Sequence, residues 1–130
     1  MKKEIVMLVF CRKVIAKLFI EHIENHTAME AIGVYEFNRV KNAALVHHPI
    51  LALVEIPERD GDPELDAFDV CDDIKEACPA CKIMLMCPEG DTASVAACED
   101  AKQKGKIEDY IFYDTTPQYV TSKLKSLLPA

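Results

Sequence analysis

Apolar residues along the chain switch repeatedly between short continuous runs and a spacing of three to four, and turn or cap residues punctuate the switches. This pattern predicts five strands and five helices. A first strand runs from Glu4 to Phe10, and a helix from Lys13 to Asn25 follows with Val14, Ile15, Leu18, Phe19, His22 and Ile23 on one face. A second strand, Glu30 to Tyr35, leads to a short helix from Asn38 to His47 with Asn38 as its cap. Pro49 resets the chain, and the run Ile50 to Ile56 does not alternate, as expected of a strand buried on both faces. After a polar loop from Pro57 to Gly61, Asp62-Pro63-Glu64 reads as a helix start. The stripe of that helix is Leu65, Phe68, Cys71, Ile74 and Cys78, and Pro79 closes it. The fourth strand is Lys82 to Cys87, the fourth helix Asp91 to Lys104 stops at Gly105, and the fifth strand is Tyr110 to Tyr113. Thr116-Pro117 caps a last helix whose stripe is Val120, Leu124, Leu127 and Leu128.

Strands alternating with helices imply an α/β fold, because parallel neighbours must be joined by a crossover that is usually a helix. The topology predicted at this length is a doubly wound, five-stranded parallel sheet of flavodoxin-like type, with strand order 2-1-3-4-5. In such sheets ligands bind beyond the carboxyl ends of the strands at the point where the order reverses. Function is therefore to be read at Phe10 to Arg12, Glu55 to Arg59, Cys87 to Asp91 and Tyr113 to Thr116.

Composition narrows the class. The chain has 130 residues, half of them apolar, which suits one domain over residues 1–130 with a full hydrophobic core. Fifteen basic against 22 acidic residues leave a net charge of −7, the opposite of a nucleic-acid-binding stripe. Met1-Lys2-Lys3 followed by Ile5 to Cys11 is too short a run for a secretory signal, and Ala43 to Val54 is too short to span a bilayer. A cytoplasmic protein with no membrane and no nucleic-acid partner is expected. Its six cysteines would stay reduced there.

The residues at the strand ends add a likeness. His48-Pro49-Ile50-Leu51-Ala52-Leu53-Val54-Glu55-Ile56 resembles the run Pro-Asp-Leu-Val-Leu-Leu-Asp-Ile around the phospho-acceptor of response-regulator receiver domains, the CheY-type modules charged by histidine kinases. Pro57 to Gly61 resembles that family's following loop, Ile74 to Pro79 the end of its third helix, and Lys82 to Cys87 its fourth strand. The resemblance implies a signalling module of a two-component or phosphorelay pathway. It also implies roles that these residues fill poorly. Phe10 and Cys11 stand where the family has two Mg²⁺-binding acids, and Glu55 stands for the acceptor aspartate. Cys87 replaces the switch Thr or Ser, Tyr113 the lysine, and Tyr110 keeps the switch aromatic. Phe10-Cys11 offers Mg²⁺ no carboxylate, and without cation or lysine the transition state for phosphoryl transfer lacks charge neutralisation. The expectation is a degenerate pseudo-receiver: no enzyme, no cofactor, no metal, and action through a signalling protein partner. The family's docking face, formed by the fourth helix, fifth strand and fifth helix, would serve that partner or a second copy in a homodimer. Glu55 would either imitate a phosphorylated aspartate or be an acid that is solvated or paired with Arg12, Lys13 or Arg59.

Other chemistry is weaker. Cys78-Pro79-Ala80-Cys81 has redox or half-zinc spacing, but it follows a helix instead of opening one, and Cys71 points to the core. Cys11 after the first strand could be the nucleophile of a small flavodoxin-like enzyme or phosphoryl carrier, yet Arg12 to Ala16 contains no Gly or Ser to cradle phosphate. His22, His26, His47 and His48 show no ligand spacing. His22 is expected on a helix flank, and His47-His48 in a turn before Pro49.

Overall fold

The computed structural model describes residues 4–57 and 67–128. Strand β1 (Ile5–Val9) leads to helix α1 (Lys13–His26), and β2 (Glu30–Val34) to a 3-10 turn (Phe37–Arg39) and α2 (Val40–His47). Then come β3 (Leu51–Glu55), α3 (Ala67–Ala77), β4 (Lys82–Cys87), α4 (Thr92–Gln103), β5 (Asp109–Phe112) and α5 (Pro117–Ser126). The strands pair in parallel in the order β2-β1-β3-β4-β5, as the periodicity predicts.

Alternate residues of each strand enter two separate cores, because side chains along a strand point to opposite faces. Met7, Val9, Ala52, Val54, Ile83, Leu85 and Cys87 pack under α2, α3 and α4. Val6, Leu8, Phe10, Leu51, Leu53, Met84, Met86 and Ile111 pack under α1 and α5. Every residue of β3 is buried, in keeping with its unbroken apolar run. Among the described residues, two chain reversals use the left-handed region. Gly105, at φ 76°, closes α4 with Gly105 N–H donating to Lys102 O and Lys106 N–H to Ala101 O, the paired bonds of a Schellman ending. His48, at φ 50°, ends α2 and donates its N–H to Ala44 O.

Several expectations need correction. Val14 and Leu18 of α1 are 73 % and 53 % exposed; the buried stripe is Ala16, Phe19 and Ile23. The helix lies on the sheet through the side that carries small Ala16, so the apolar arc read from the sequence is wider than the contact. Asn38 does not cap α2. It lies inside the 3-10 turn, which ends in Arg39 as the N-cap without a side-chain bond. Burial of Phe37 holds this turn down, a tertiary effect. In α3 the buried residues are Ala67, Val70, Cys71 and Ile74, whereas Phe68 is half-buried and Cys78 lies past the helix end. Leu127 and Leu128 likewise follow α5 and are half-buried. The predicted loop to Gly61 (beyond Pro57), the start at Asp62-Pro63-Glu64 and Leu65 lie outside the described residues. The caps at Asp91 and Thr116 do form, accepting from Ser94 N–H and Tyr119 N–H at 3.1 Å each.

Candidate functional site

The carboxyl ends of β1, β3, β4 and β5 meet at Glu55, whose side chain is only 1 % exposed. One carboxylate oxygen accepts from the backbone N–H groups of Cys11 at 3.1 Å and Arg12 at 3.2 Å. The other accepts from Arg12 Nε at 2.6 Å. These donors stand at the start of α1, a helix with no acid in its own first turn and no side-chain cap. Glu55 therefore caps α1 from across the sheet. Its charge faces the positive end of the helix dipole as well as the guanidinium.

Arg12 is held from a second side. Its guanidinium carbon lies 4.2 Å from the centroid of the Tyr113 ring, a cation–π contact. Tyr113 is fixed in turn, since its hydroxyl donates to Ile56 O and its N–H to Cys87 O at 3.0 Å. Phe10 is fully buried, with its ring edge-on to Phe19 at 5.8 Å. The strand ends bring Phe10, Arg12, Glu55 and Tyr113 together, and the pairing of Glu55 with Arg12 is one of the alternatives read from the sequence. Glu55 is not solvated, and of the three proposed partners Arg12 holds it. Lys13 turns instead to the Tyr35 ring at 5.0 Å, and Arg59 lies outside the described residues. No spacing in the sequence predicts the stack of Arg12 on Tyr113; its signal is an aromatic just after the fifth strand together with an arginine just after the first.

A Mg²⁺ ion of the kind the likeness implies does not fit these residues. Mg²⁺ needs oxygen ligands in near-octahedral array. Phe10 is core, Cys11 offers sulfur, and the lone pairs of Glu55 already meet two amides and a guanidinium. The Cys87 thiol points away, donating to Pro88 O at 3.5 Å. Tyr110 is also turned outward, its hydroxyl donating to Glu99 at 2.8 Å. No hydrogen bond joins Glu55 to Cys87 or Tyr110 among the described residues.

None of the cysteines forms a disulfide. Cys11 is exposed, yet partial desolvation of its thiol, and then the Glu55 charge, raise its pKa. Burial pushes Cys81 up to about 12, and it also raises Cys87 and Cys98. Raised values keep these thiols protonated at neutral pH, the reverse of an activated nucleophile. Iodoacetamide at neutral pH is accordingly expected to label Cys11 no faster than a free thiol, as read by peptide mass mapping. Labelling many-fold faster would contradict the placement of Glu55 beside it. Among the described residues no group of three His, Cys, Asp or Glu side chains could hold a metal ion, the Cys78–Cys81 pair included.

Solved structures share this architecture. A CheY-like response-regulator receiver domain from Methanospirillum hungatei matches with a TM-score of 0.74 at 13 % identity, over 95 % of this chain and 92 % of that one. A two-component response regulator from Clostridium difficile matches at 0.77 with 15 % identity, over 95 % and 94 %. A structure described as an adenylate cyclase from Rhodopirellula baltica matches at 0.79 with 9 % identity, over 95 % and 86 %. No protein-family model matches the sequence, and no curated protein does. At these identities the likeness establishes the fold: this chain has the CheY-like receiver fold.

Proposed function

We propose that this chain is a pseudo-receiver, a cytoplasmic signalling module of a two-component or phosphorelay pathway that acts by binding a protein partner and does not accept a phosphoryl group. The observation that carries the reading is the self-contained state of Glu55. In the place of a phospho-acceptor stands a buried carboxylate whose oxygens are met within the chain, by Cys11 N–H, Arg12 N–H and the Arg12 guanidinium. Arg12 is the cation of the site, and Tyr113 holds it where a receiver would carry a lysine. Phosphoryl transfer depends on positioned charge neutralisation, and here that charge is already spent on Glu55. The receiver fold of the solved neighbours supports the signalling part of the reading.

Incubation with Mg²⁺ and acetyl phosphate, followed by intact-mass measurement, is expected to show no stable gain of a phosphoryl group. A stoichiometric gain mapping to Glu55 would overturn the proposal. Glu55 as a permanent imitation of a phosphorylated aspartate is the less favoured reading. It would need a bond from Glu55 toward the switch positions, and both Cys87 and Tyr110 are engaged elsewhere.

No helix among the described residues is long and apolar enough to cross a membrane. The partner is most simply placed on the face of α4, β5 and α5. There Phe112 is 41 % and Tyr119 51 % exposed beside the ion-paired cluster Lys102–Asp109–Lys123.

A further inference from the structure

On the opposite side of α5 from that cluster, a groove of about 370 Å³ runs between α1 and α5. It is lined by His22, His26, Gln118, Thr121, Ser122 and Lys125. None of the six carries a carboxylate, and each can donate a hydrogen bond. In a chain with a net charge of −7 this is a local reversal of sign.

The two histidines are set for the purpose. Their rings stack with centroids 4.0 Å apart and planes 14° from parallel. His26 Nδ1 lies 3.0 Å from the carbonyl oxygen of His22, and a carbonyl only accepts, so this nitrogen carries the hydrogen. Nε2 of His26 then becomes a donor only when the ring is protonated. His22 Nδ1 lies 2.9 Å from the hydroxyl of buried Thr121, which fixes this ring against α5. Lys125 has no ion pair among the described residues, whereas Lys123 on the same helix is held by Asp109 at 2.9 Å. The acids next to the pair are engaged or outside the groove: Glu24 accepts from Ala31 N–H at 3.2 Å, and exposed Glu21 is not part of the lining.

We propose that this groove binds an oxyanion of the phosphate or sulfate type, with Lys125 as its cation and the His22, His26, Gln118, Thr121 and Ser122 side chains as its polar lining. The site is independent of the Glu55 reading, so either can fail alone.

Sulfate is the probe of choice because it is doubly charged at neutral pH. NMR of the imidazoles and of the Thr121 and Ser122 amides is expected to show saturable shifts. Lys125→Gln should weaken binding by roughly fivefold, the scale of one charge lost at contact in water. The double variant His22→Gln/His26→Gln should weaken it several-fold, with thermal unfolding confirming that each variant is folded. Inorganic phosphate and a short phosphoserine peptide separate a free anion from a phosphorylated chain as its source. Shifts that rise linearly without saturation, or that are the same in the variants, mean an adventitious ion only and overturn the proposal. So does saturation by Zn²⁺ without any response to sulfate.

Discussion

Replacing Arg12 with alanine is expected to destabilise the protein by about 2–3 kcal/mol. Removing one partner of a fully buried ion pair costs about 3–5 kcal/mol, since the other charge stays behind in low dielectric. Glu55 is that stranded charge, at 1 % exposure. The figure is reduced because the Arg12 side chain is 42 % exposed, so water can approach once it is gone, and because two backbone N–H groups still hold Glu55. Loss of the stack on Tyr113 returns about 0.5–1 kcal/mol to the cost. Arg12→Lys should fall between wild type and alanine, because an ammonium keeps the charge but not the flat group that stacks on the ring. Glu55→Gln keeps an acceptor for the α1 amides and is expected to cost less than Arg12→Ala. Urea unfolding of the three variants, with the Arg12→Ala/Glu55→Gln double variant closing the cycle, measures the pair. A wild-type midpoint for Arg12→Ala would mean that the bond is no stronger than an ordinary surface ion pair. The self-contained site proposed above would then lose its main support.

Most of the fold is legible in the sequence because its signals are local. Lys82 to Cys87 is bounded on both sides by turns, Asp91 and Thr116 carry their own capping oxygens, and Gly105 marks a reversal that needs a glycine. Parallel pairing follows from the helical connections, and the order 2-1-3-4-5 from the doubly wound topology expected at this length. What fails to show is whatever depends on a distant residue. Val14 and Leu18 look like core because periodicity records an apolar arc, whereas the width of the contact is set by how closely Ala16 lets α1 approach the sheet. The start of α2 depends on where Phe37 is buried, not on the capping power of Asn38. Glu55 illustrates the same limit at the site. An acid ending a strand can be wet or dry, and donors 43 and 44 positions away in the chain, the Arg12 guanidinium and the Cys11 and Arg12 amides, decide it. The link between His22 and Thr121 spans 99 positions, and no spacing rule could have found it.

Placing acids at Phe10 and Cys11, the positions that the likeness to receiver domains aligns with Mg²⁺-binding acids, should have sharply unequal effects. Phe10→Asp is expected to cost about 4–6 kcal/mol. Emptying a buried phenylalanine site alone costs about 3–5 kcal/mol, and a carboxyl group left there without partners adds more, either as a buried charge or as a proton taken up to avoid it. Phe10 has no exposed surface and its ring meets Phe19 edge-on, so the loss reaches the packing of α1 on the sheet. A protein of this size holds only about 5–15 kcal/mol in total, so much of the folded population is at risk at moderate temperature. Cys11→Asp should change stability by less than about 1 kcal/mol, because the position is exposed and repulsion from Glu55 is offset by the positive start of α1. Thermal and urea unfolding separate the two outcomes, and a Mg²⁺ titration of Cys11→Asp tests the site. Binding there is expected to stay weak, because Arg12 still neutralises Glu55 and the second acid is missing. A stable Phe10→Asp variant that gains Mg²⁺ affinity would show that the aromatic ring is dispensable and that the site can hold a cation. The buried Phe10 ring and the Arg12–Glu55 bond would then be separate accidents of sequence. If the costs are as unequal as expected, a cation site at these positions is barred by packing at Phe10 before chemistry at Glu55 is reached.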